Sequence, residues 1–401
     1  MIKIEKSKAI EIVLKIERVI DMWRRNRVTV LFLVAVIIFG VVLMDGRKNN
    51  AVGVSAENDT GRVLPAEQAN LSDNVPAEAS GESFDFAGMF ANLAGGGGAL
   101  SSFRQSGEAE HEGIVLKVPA EFDTIQKAID MAMAGDVVEV AAGEYKENLV
   151  MKDGVSVVGE RAETTILDGD KKGNVVTFKD LNDGETRLEN FSIKNAQESL
   201  SGVLVENSSP IINRNIIFSN DYDIYIKGHS SPIVQRNVLE QSKVGVQIFN
   251  LDKVEDSNPS IADNLIYANK KGINLYNSKA SIDHNTVSFN GSYDFEAGAT
   301  FGIYLAKSGA VITNNIITDN GTCEICSGVY ADENSKDVKL SFNDIWNNQN
   351  NFVCFGVCSM EDNNRSEDPL YENGLLFSFS LKAESTLFTA GSDGQKLGAR
   401  I

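Results

Sequence analysis

Six segments between residues 210 and 350 repeat one pattern: an aliphatic residue, two further residues, Asn, and then Asn or Ser five positions on. The leading residues are Asn215, Asn237, Asn264, Asn285, Asn315 and Asn343. The second column is Asn220, Ser242, Asn269, Asn290, Asn320 and Asn348. Successive leading Asn residues are 22, 27, 21, 30 and 28 apart. A period of this length marks a stack of supersecondary units, none of which can bury its apolar face alone.

Counted from each leading Asn, position −3 is Ile212, Val234, Ile261, Ile282, Ile312 and Leu340, and position +2 is Ile217, Leu239, Ile266, Val287, Ile317 and Ile345. A second strand follows with apolar residues two apart, as in Val203/Val205, Ile224/Ile226, Val246/Ile248, Ile273/Leu275 and Ile303/Leu305. Alternation with period two turns such residues to one interior. Gly202, Gly245, Gly272, Gly302 and Gly328 open most of these strands, and Asp223 opens one. Gly and Asn tolerate left-handed backbone, so both columns are expected at bends. Stacked Asn side chains can also bond to one another. The ladder is therefore read as structural. Segment 187–195 is an imperfect coil, with Leu188 and Ile193 shifted by one.

Upstream, Ile114–Val118 reads as a strand and 121–136 as a short helix with Ile125, Ala128, Ile129 and Ala132 on one face. Asp123 is the expected N-cap and Gly135 the stop. An amphipathic helix ahead of a strand array suits a terminal cap. Here TIQKAIDMAMAGDVVEVAAGEYKENLVMKDGVSVVGE resembles the opening segment of right-handed parallel β-helix proteins of the pectin-lyase-like superfamily. It is similar to that of pectin methylesterases and of periplasmic copper-accessory β-helix proteins. DPLYENGLLFSFSLKAESTLFTAGSDGQKLGA resembles the closing segment of secreted members. The resemblance implies an all-β, right-handed parallel β-helix solenoid with a short capping helix over residues 113–401. It implies no particular activity, because one fold hosts many functions. The motifs of polygalacturonases, pectin methylesterases and pectate lyases are not found, and the catalytic residues stay unknown.

Val28–Met44 is a run of 17 uncharged residues preceded by Arg24, Arg25 and Arg27. It is expected to be a transmembrane anchor with residues 1–27 cytoplasmic and the C-terminal bulk extracytoplasmic. A cleaved signal peptide and a buried core helix are the alternatives. Within 1–27, Ile12, Ile16, Val19, Ile20 and Trp23 share a helical face that can lie on the membrane or simply extend the anchor. Residues 45–112, with four glycines at 95–98, read as a flexible acidic linker. The net charge of −19 argues against nucleic acid as a partner. It leaves membrane contact through the amino end and a polysaccharide partner open.

The distance from the leading Asn to the residue opening the second strand is eight in three coils, 17 after Asn285 and 13 after Asn315. These insertions, with the stretch after Asn348, are expected side by side at one corner. They carry Tyr293, Asp294, Phe295, Glu296, Glu324, Phe352 and Phe355. Aromatics beside carboxylates can bind sugar, the carboxylates can hold Ca²⁺, and a pair of them can serve a glycosidase. Solvated acids and loop-packing aromatics are the plain alternative. No cofactor other than such a Ca²⁺ is expected. Cys326 and Cys354 each sit 11 residues after a ladder Asn, so Cys323, Cys326, Cys354 and Cys358 are expected to form two disulfides stapling the loops. Four-thiolate zinc, free thiols and a redox pair are the rivals. His229 and His284 read as turn or surface residues. Three functions follow: a membrane-anchored β-helix that binds glycan or another surface polymer, a structural or adhesive rod, and a polysaccharide lyase or hydrolase.

Overall fold

The computed structural model describes residues 111–181, 185–251, 257–291, 299–321, 323–374 and 377–400. The expected amphipathic segment, anchor and nearly all of the linker lie outside these residues. So do Tyr293, Asp294, Phe295 and Glu296. Among the described residues, no helix is long and apolar enough to cross a membrane.

Each turn of the chain adds one strand to each of three parallel sheets. Sheet 1 has 11 strands, from Val115–Val118 to Cys358–Met360. Sheets 2 and 3 have nine each, running from Gly143–Tyr145 to Asp344–Trp346 and from Leu149–Val150 to Phe352–Cys354. The aliphatic columns meet in register. Ile212, Val234, Ile261, Ile282, Ile312 and Leu340 are successive partners in sheet 1. Ile217, Leu239, Ile266, Val287, Ile317 and Ile345 are partners in sheet 2. With the pairs from sheet 3 they form one continuous buried core. Parallel strands buried on their inner face in this way derive stability mainly from apolar area removed from water.

The Asn ladder turns the corner between sheets 1 and 2. Asn285 Oδ1 accepts from Asn264 N at 2.9 Å and from Asn264 Nδ2 at 3.0 Å, while Asn285 Nδ2 donates to Ile261 O at 2.8 Å. The same arrangement links Asn215 through Asn343 and continues to Asn364, which the repeat pattern does not reveal. The second column does the same at the next corner, with Asn290 N donating to Asn320 Oδ1 at 3.1 Å. A serine ladder lines the third corner, where Ser278 N donates to Ser308 Oγ and Ser308 N to Ser335 Oγ, each at 3.2 Å.

Three local expectations need correction. Left-handed backbone falls on the residue before each ladder Asn, such as Arg214 (φ 54), Asp263 (φ 56) and Phe342 (φ 56), and not on the Asn itself. The glycine column is not left-handed either. Its glycines are required by close approach, since a Cβ at Gly272 would lie 2.4 Å from Gly302 O. Segment 187–195 is a regular coil: Phe191 stands opposite Asn215, which places Leu188 and Ile193 in their ordinary columns.

The capping helix, α1 (Ile125–Met131), buries Ile125, Ala128 and Ile129 over the first coil. Thr124, not Asp123, is its N-cap. Asp123 pairs instead with Lys127 at 2.8 Å. The Glu147 carboxylate accepts from Ile125 N and Gln126 N, both at 3.0 Å, and satisfies donors that α1 cannot pair itself. The helix stops at Met131 with Ala132 as C-cap, ahead of Gly135. At the other end the chain leaves the stack after Asn364 and returns along the outer face of sheet 2. This arm comprises an antiparallel hairpin of Tyr371–Asn373 with Ser378–Leu381, a 3-10 turn at Thr386–Thr389, and residues 390–400. Leu381, Leu387, Ala390 and Leu397 form a second small core with Ile316.

Candidate binding surface

Sheet 3 has the longest strands, among them Ser201–Glu206, Tyr222–Lys227, Val244–Phe249, Lys271–Tyr276 and Phe301–Ala306. Their inward residues fill the core, so the alternate residues must face outward. The central outward column is Leu204, Tyr225, Gln247, Asn274, Tyr304 and Tyr330, partner to partner. Glu206, Lys227, Phe249 and Tyr276 run along one side of it; Tyr222, Val244, Lys271 and Phe301 open the strands on the other side, outside this alternation, with Val244 and Phe301 buried. Among the described residues, no element lies over this face.

Rings here meet rings of neighbouring coils. Tyr304 and Tyr330 stack at 5.4 Å with planes 10° apart, and Phe249 and Tyr276 at 4.9 Å and 17°. Lys271 Nζ lies 5.2 Å from the Tyr304 ring, and Lys307 Nζ lies 5.2 Å from the Tyr276 ring. Gln247 and Asn274 join the two aromatic groups, with Asn274 Nδ2 donating to Gln247 Oε1 at 2.7 Å. An open groove of about 450 Å³ lies at the edge of the face, lined by Tyr225, Lys227, His229, Phe249 and Leu251 among others. Lys227 is paired with Glu206 at 3.1 Å. The face therefore offers flat apolar rings with hydroxyl, amide and ammonium groups at their margins. Such a surface can stack against the C–H side of a sugar ring and hydrogen-bond its hydroxyls.

The family model described as "Right handed beta helix region" matches residues 154–299 and 201–366, which together span more than half of the chain. The chain belongs to this family. No curated protein matches it. Among solved structures, the A-module of mannuronan C-5 epimerase AlgE4 from Azotobacter vinelandii is similar at 19% identity and a TM-score of 0.36, covering 59% of this chain and 75% of that one. Pectate lyase Pel9A is 14% identical with a TM-score of 0.45, covering 67% and 86%. Pectin methylesterase from carrot is 12% identical with a TM-score of 0.31, covering 69% and 99%. These likenesses concern the fold alone.

In this β-helix the insertions lead from sheet 2 into sheet 3 after Asn290 and Asn320, at the margin of the aromatic face. Glu324 is exposed there. Phe355 is 65% exposed, and its ring lies 5.9 Å from Tyr330, which makes it part of the open surface. Phe352 is different. It pairs with Val329 and packs against the core, so it belongs to the interior of the last coil. No third insertion exists, because only three residues separate Asn348 from the strand Phe352–Cys354. The partner of Cys354 is thus Ala331, not Cys326. Two disulfides form, but each closes on itself: Cys323–Cys326 with Cα atoms 5.0 Å apart and Cys354–Cys358 with 6.5 Å. They do not join the loops, and no cysteine remains free for zinc. Among the described residues, no group of three or more His, Cys, Asp or Glu is placed to hold a metal.

His229 is exposed at the groove, but His284 is buried, against expectation. Its Nδ1 lies 2.8 Å from Asp283 Oδ2, under the C-terminal arm. Burial pushes the Asp283 carboxyl up, but hydrogen bonds from His284, Thr313 and Asn314 outweigh it and hold the group at about 2. Asp344, also buried beneath the arm, is pushed up to about 7 by burial and by Glu367 and Asp368, against a hydrogen bond from Glu367 N and the charge of Arg365. Asp223, which replaces glycine in its column, is fully buried and held well above the carboxylate range. It accepts from Ser242 Oγ at 2.5 Å and Asn220 Nδ2 at 3.2 Å. These perturbed groups lie in the interior or under the arm, and none faces the aromatic surface. The residues singled out from the sequence do not include the rings of that surface, although a signal exists: Tyr225, Tyr304 and Tyr330 are each the middle residue of an apolar pair.

Proposed function

We propose that this β-helix binds an extended glycan along the outer face of sheet 3. The observation that carries the reading is the row of stacked rings, Tyr304–Tyr330 and Phe249–Tyr276, bridged by Gln247 and Asn274 and covered by no element among the described residues. An aromatic row crossing successive coils fits a ligand that itself repeats. Glu324, exposed at the margin of this face, belongs to the proposed surface, and the sequence of Tyr293, Asp294, Phe295 and Glu296 supports their joining it, with Ca²⁺ held by the carboxylates as part of the proposal. The sequence of residues 28–44 supports an anchor that holds the binding domain outside the cytoplasm at a membrane surface.

The test is a glycan array and a polysaccharide co-sedimentation panel with the full chain. Binding to at least one polymer, lost about tenfold or more in Tyr304→Ala/Tyr330→Ala, is expected. No binding to any polymer would sink the reading and leave the structural rod. Release of reducing ends or unsaturated uronate from a bound polymer would turn the binder into an enzyme.

A further inference from the structure

Cys323–Cys326 encloses only Glu324 and Ile325. A cross-link over so few residues removes little entropy from the unfolded chain, because the effect grows with loop length. Its surroundings differ from those of the other short disulfide. Cys354 and Cys358 are both half-buried and both pack against the main core. In Cys323–Cys326 the two ends are unlike: Cys323 is half-buried, beside exposed Glu324 and Ile325, whereas Cys326 is fully buried.

Two donors converge on the buried sulfur. Cys326 Sγ lies 3.3 Å from Thr300 N and 3.0 Å from Thr300 Oγ1. A disulfide sulfur has no proton, so the hydroxyl must donate. Among the described residues, no donor of this kind reaches Cys354 or Cys358. The loop is also held in place. Asn350 Nδ2 donates to Glu324 O at 2.9 Å and to Cys326 O at 2.8 Å, and Cys326 N donates to Cys323 O at 2.9 Å. A Cβ on Gly321 would fall 2.4 Å from Cys326 Cβ, so this residue must be glycine for the loop to close.

We propose that Cys323–Cys326 is a reactive disulfide that exchanges with dithiol reductants, with Cys323 attacked and Cys326 leaving. A reductant thiolate attacks Cys323 Sγ, forming a mixed disulfide as the Cys323–Cys326 bond breaks. Cys326 leaves as a thiolate, stabilised by Thr300 N–H and O–H. The second thiol of the same reductant, as its thiolate, then attacks the mixed disulfide and expels Cys323. The reductant ends as a disulfide, and its two protons pass to the two cysteines. Donors that lower the pKa of a leaving thiol speed its departure, and here they act on only one sulfur. Thr300 is a positioning residue in this scheme.

The experiment exposes the folded full chain to limiting dithiothreitol, quenches by alkylation and scores each cysteine by peptide mass. Cys323–Cys326 is expected to open about tenfold faster than Cys354–Cys358. Thr300→Val is expected to slow that opening several-fold without changing the Cys354–Cys358 rate, and Thr300→Ser to restore it. Equal rates for the two disulfides in the unaltered chain would overturn the proposal, as would an unslowed Cys323–Cys326 in a folded Thr300→Val. Should that variant unfold, Cys354–Cys358 opens faster as well, and the ratio in the unaltered chain decides alone.

Discussion

The outer faces of sheets 2 and 3 carry similar side chains and meet different fates. On sheet 2, Tyr267 and Phe289 are covered by the arm. The Tyr267 ring lies 4.9 Å from Phe377 and 5.3 Å from Phe379, and Phe379 meets Tyr371 edge-on at 5.2 Å. Tyr267 is left 6% exposed, and its hydroxyl bonds to Glu240. The arm is pinned at its far end by Ala399 N to Thr286 Oγ1 at 3.0 Å and by Arg400 to Asp263 at 2.7 Å. Among the described residues, the rings on sheet 3 meet one another, Phe355 and two lysines. The chain owns a device for covering aromatics and uses it on one face, whereas among the described residues a longer row on the other face has no such cover. Rings buried by the arm serve stability, and rings left open are available for a ligand.

Removing the arm from residue 370 onward should do the most damage. It uncovers Tyr267 and Ile316 and deletes Leu381, Leu387 and Leu397, each worth about 1.5–3 kcal/mol when buried. A loss of roughly 5 kcal/mol or more, with aggregation on heating, is expected in a melt followed by circular dichroism. Retention of the native melt would show that the covered face is not structural.

The next effect depends on pH. Asp344 has its pKa raised to about 7 in the folded chain, above the ordinary carboxylate value, so the folded state holds this proton more tightly than the unfolded one. Its unfavourable contribution is absent at pH below about 4, grows as pH rises to about 7 and then levels off, reaching up to about 4 kcal/mol. The urea midpoint should fall from pH 5 to pH 8, and Asp344→Asn should flatten that fall. Asp283, at about 2, is ionised throughout this window and does not contribute to the slope.

Smaller effects separate the faces directly. Phe379→Ala should cost about 2 kcal/mol, because the ring is half-buried among four others, and should leave polymer binding unchanged. Tyr304→Ala should cost less than about 1 kcal/mol in stability while weakening binding. Urea titration beside co-sedimentation reads both quantities. The reverse pattern would erase the distinction between the two faces.

Most of the fold is legible because the repeat is a ruler. Position −3 and position +2 from each Asn locate two core columns, and the period-two pairs locate the third. The ruler fails where a coil departs from the common count. Counting 11 residues from Asn343 places Cys354 level with Cys326 only if an insertion follows Asn348; with three residues between Asn348 and the strand, Cys354 lands opposite Ala331. The serine ladder is legible by the same ruler, since Ser208, Ser230, Ser278 and Ser308 each lie seven residues before a leading Asn and Ser335 eight. Asn364 has Glu361 and no aliphatic at −3, so the repeat pattern does not mark it. The candidate face was half legible. Alternation places Tyr225, Tyr304 and Tyr330 outward, but whether an outward ring is covered depends on where a non-repeating arm lies. Nothing periodic in residues 370–400 records that they return along sheet 2 and not sheet 3.

The most direct test of the central claim is one co-sedimentation series on a single polymer bound by the full chain, run with the unaltered protein, Tyr304→Ala/Tyr330→Ala and Phe379→Ala. The expected result is binding by the first and third and about tenfold weaker binding by the second. Equal binding by all three, or loss only in Phe379→Ala, would contradict the assignment of the open aromatic face of sheet 3 as the binding surface.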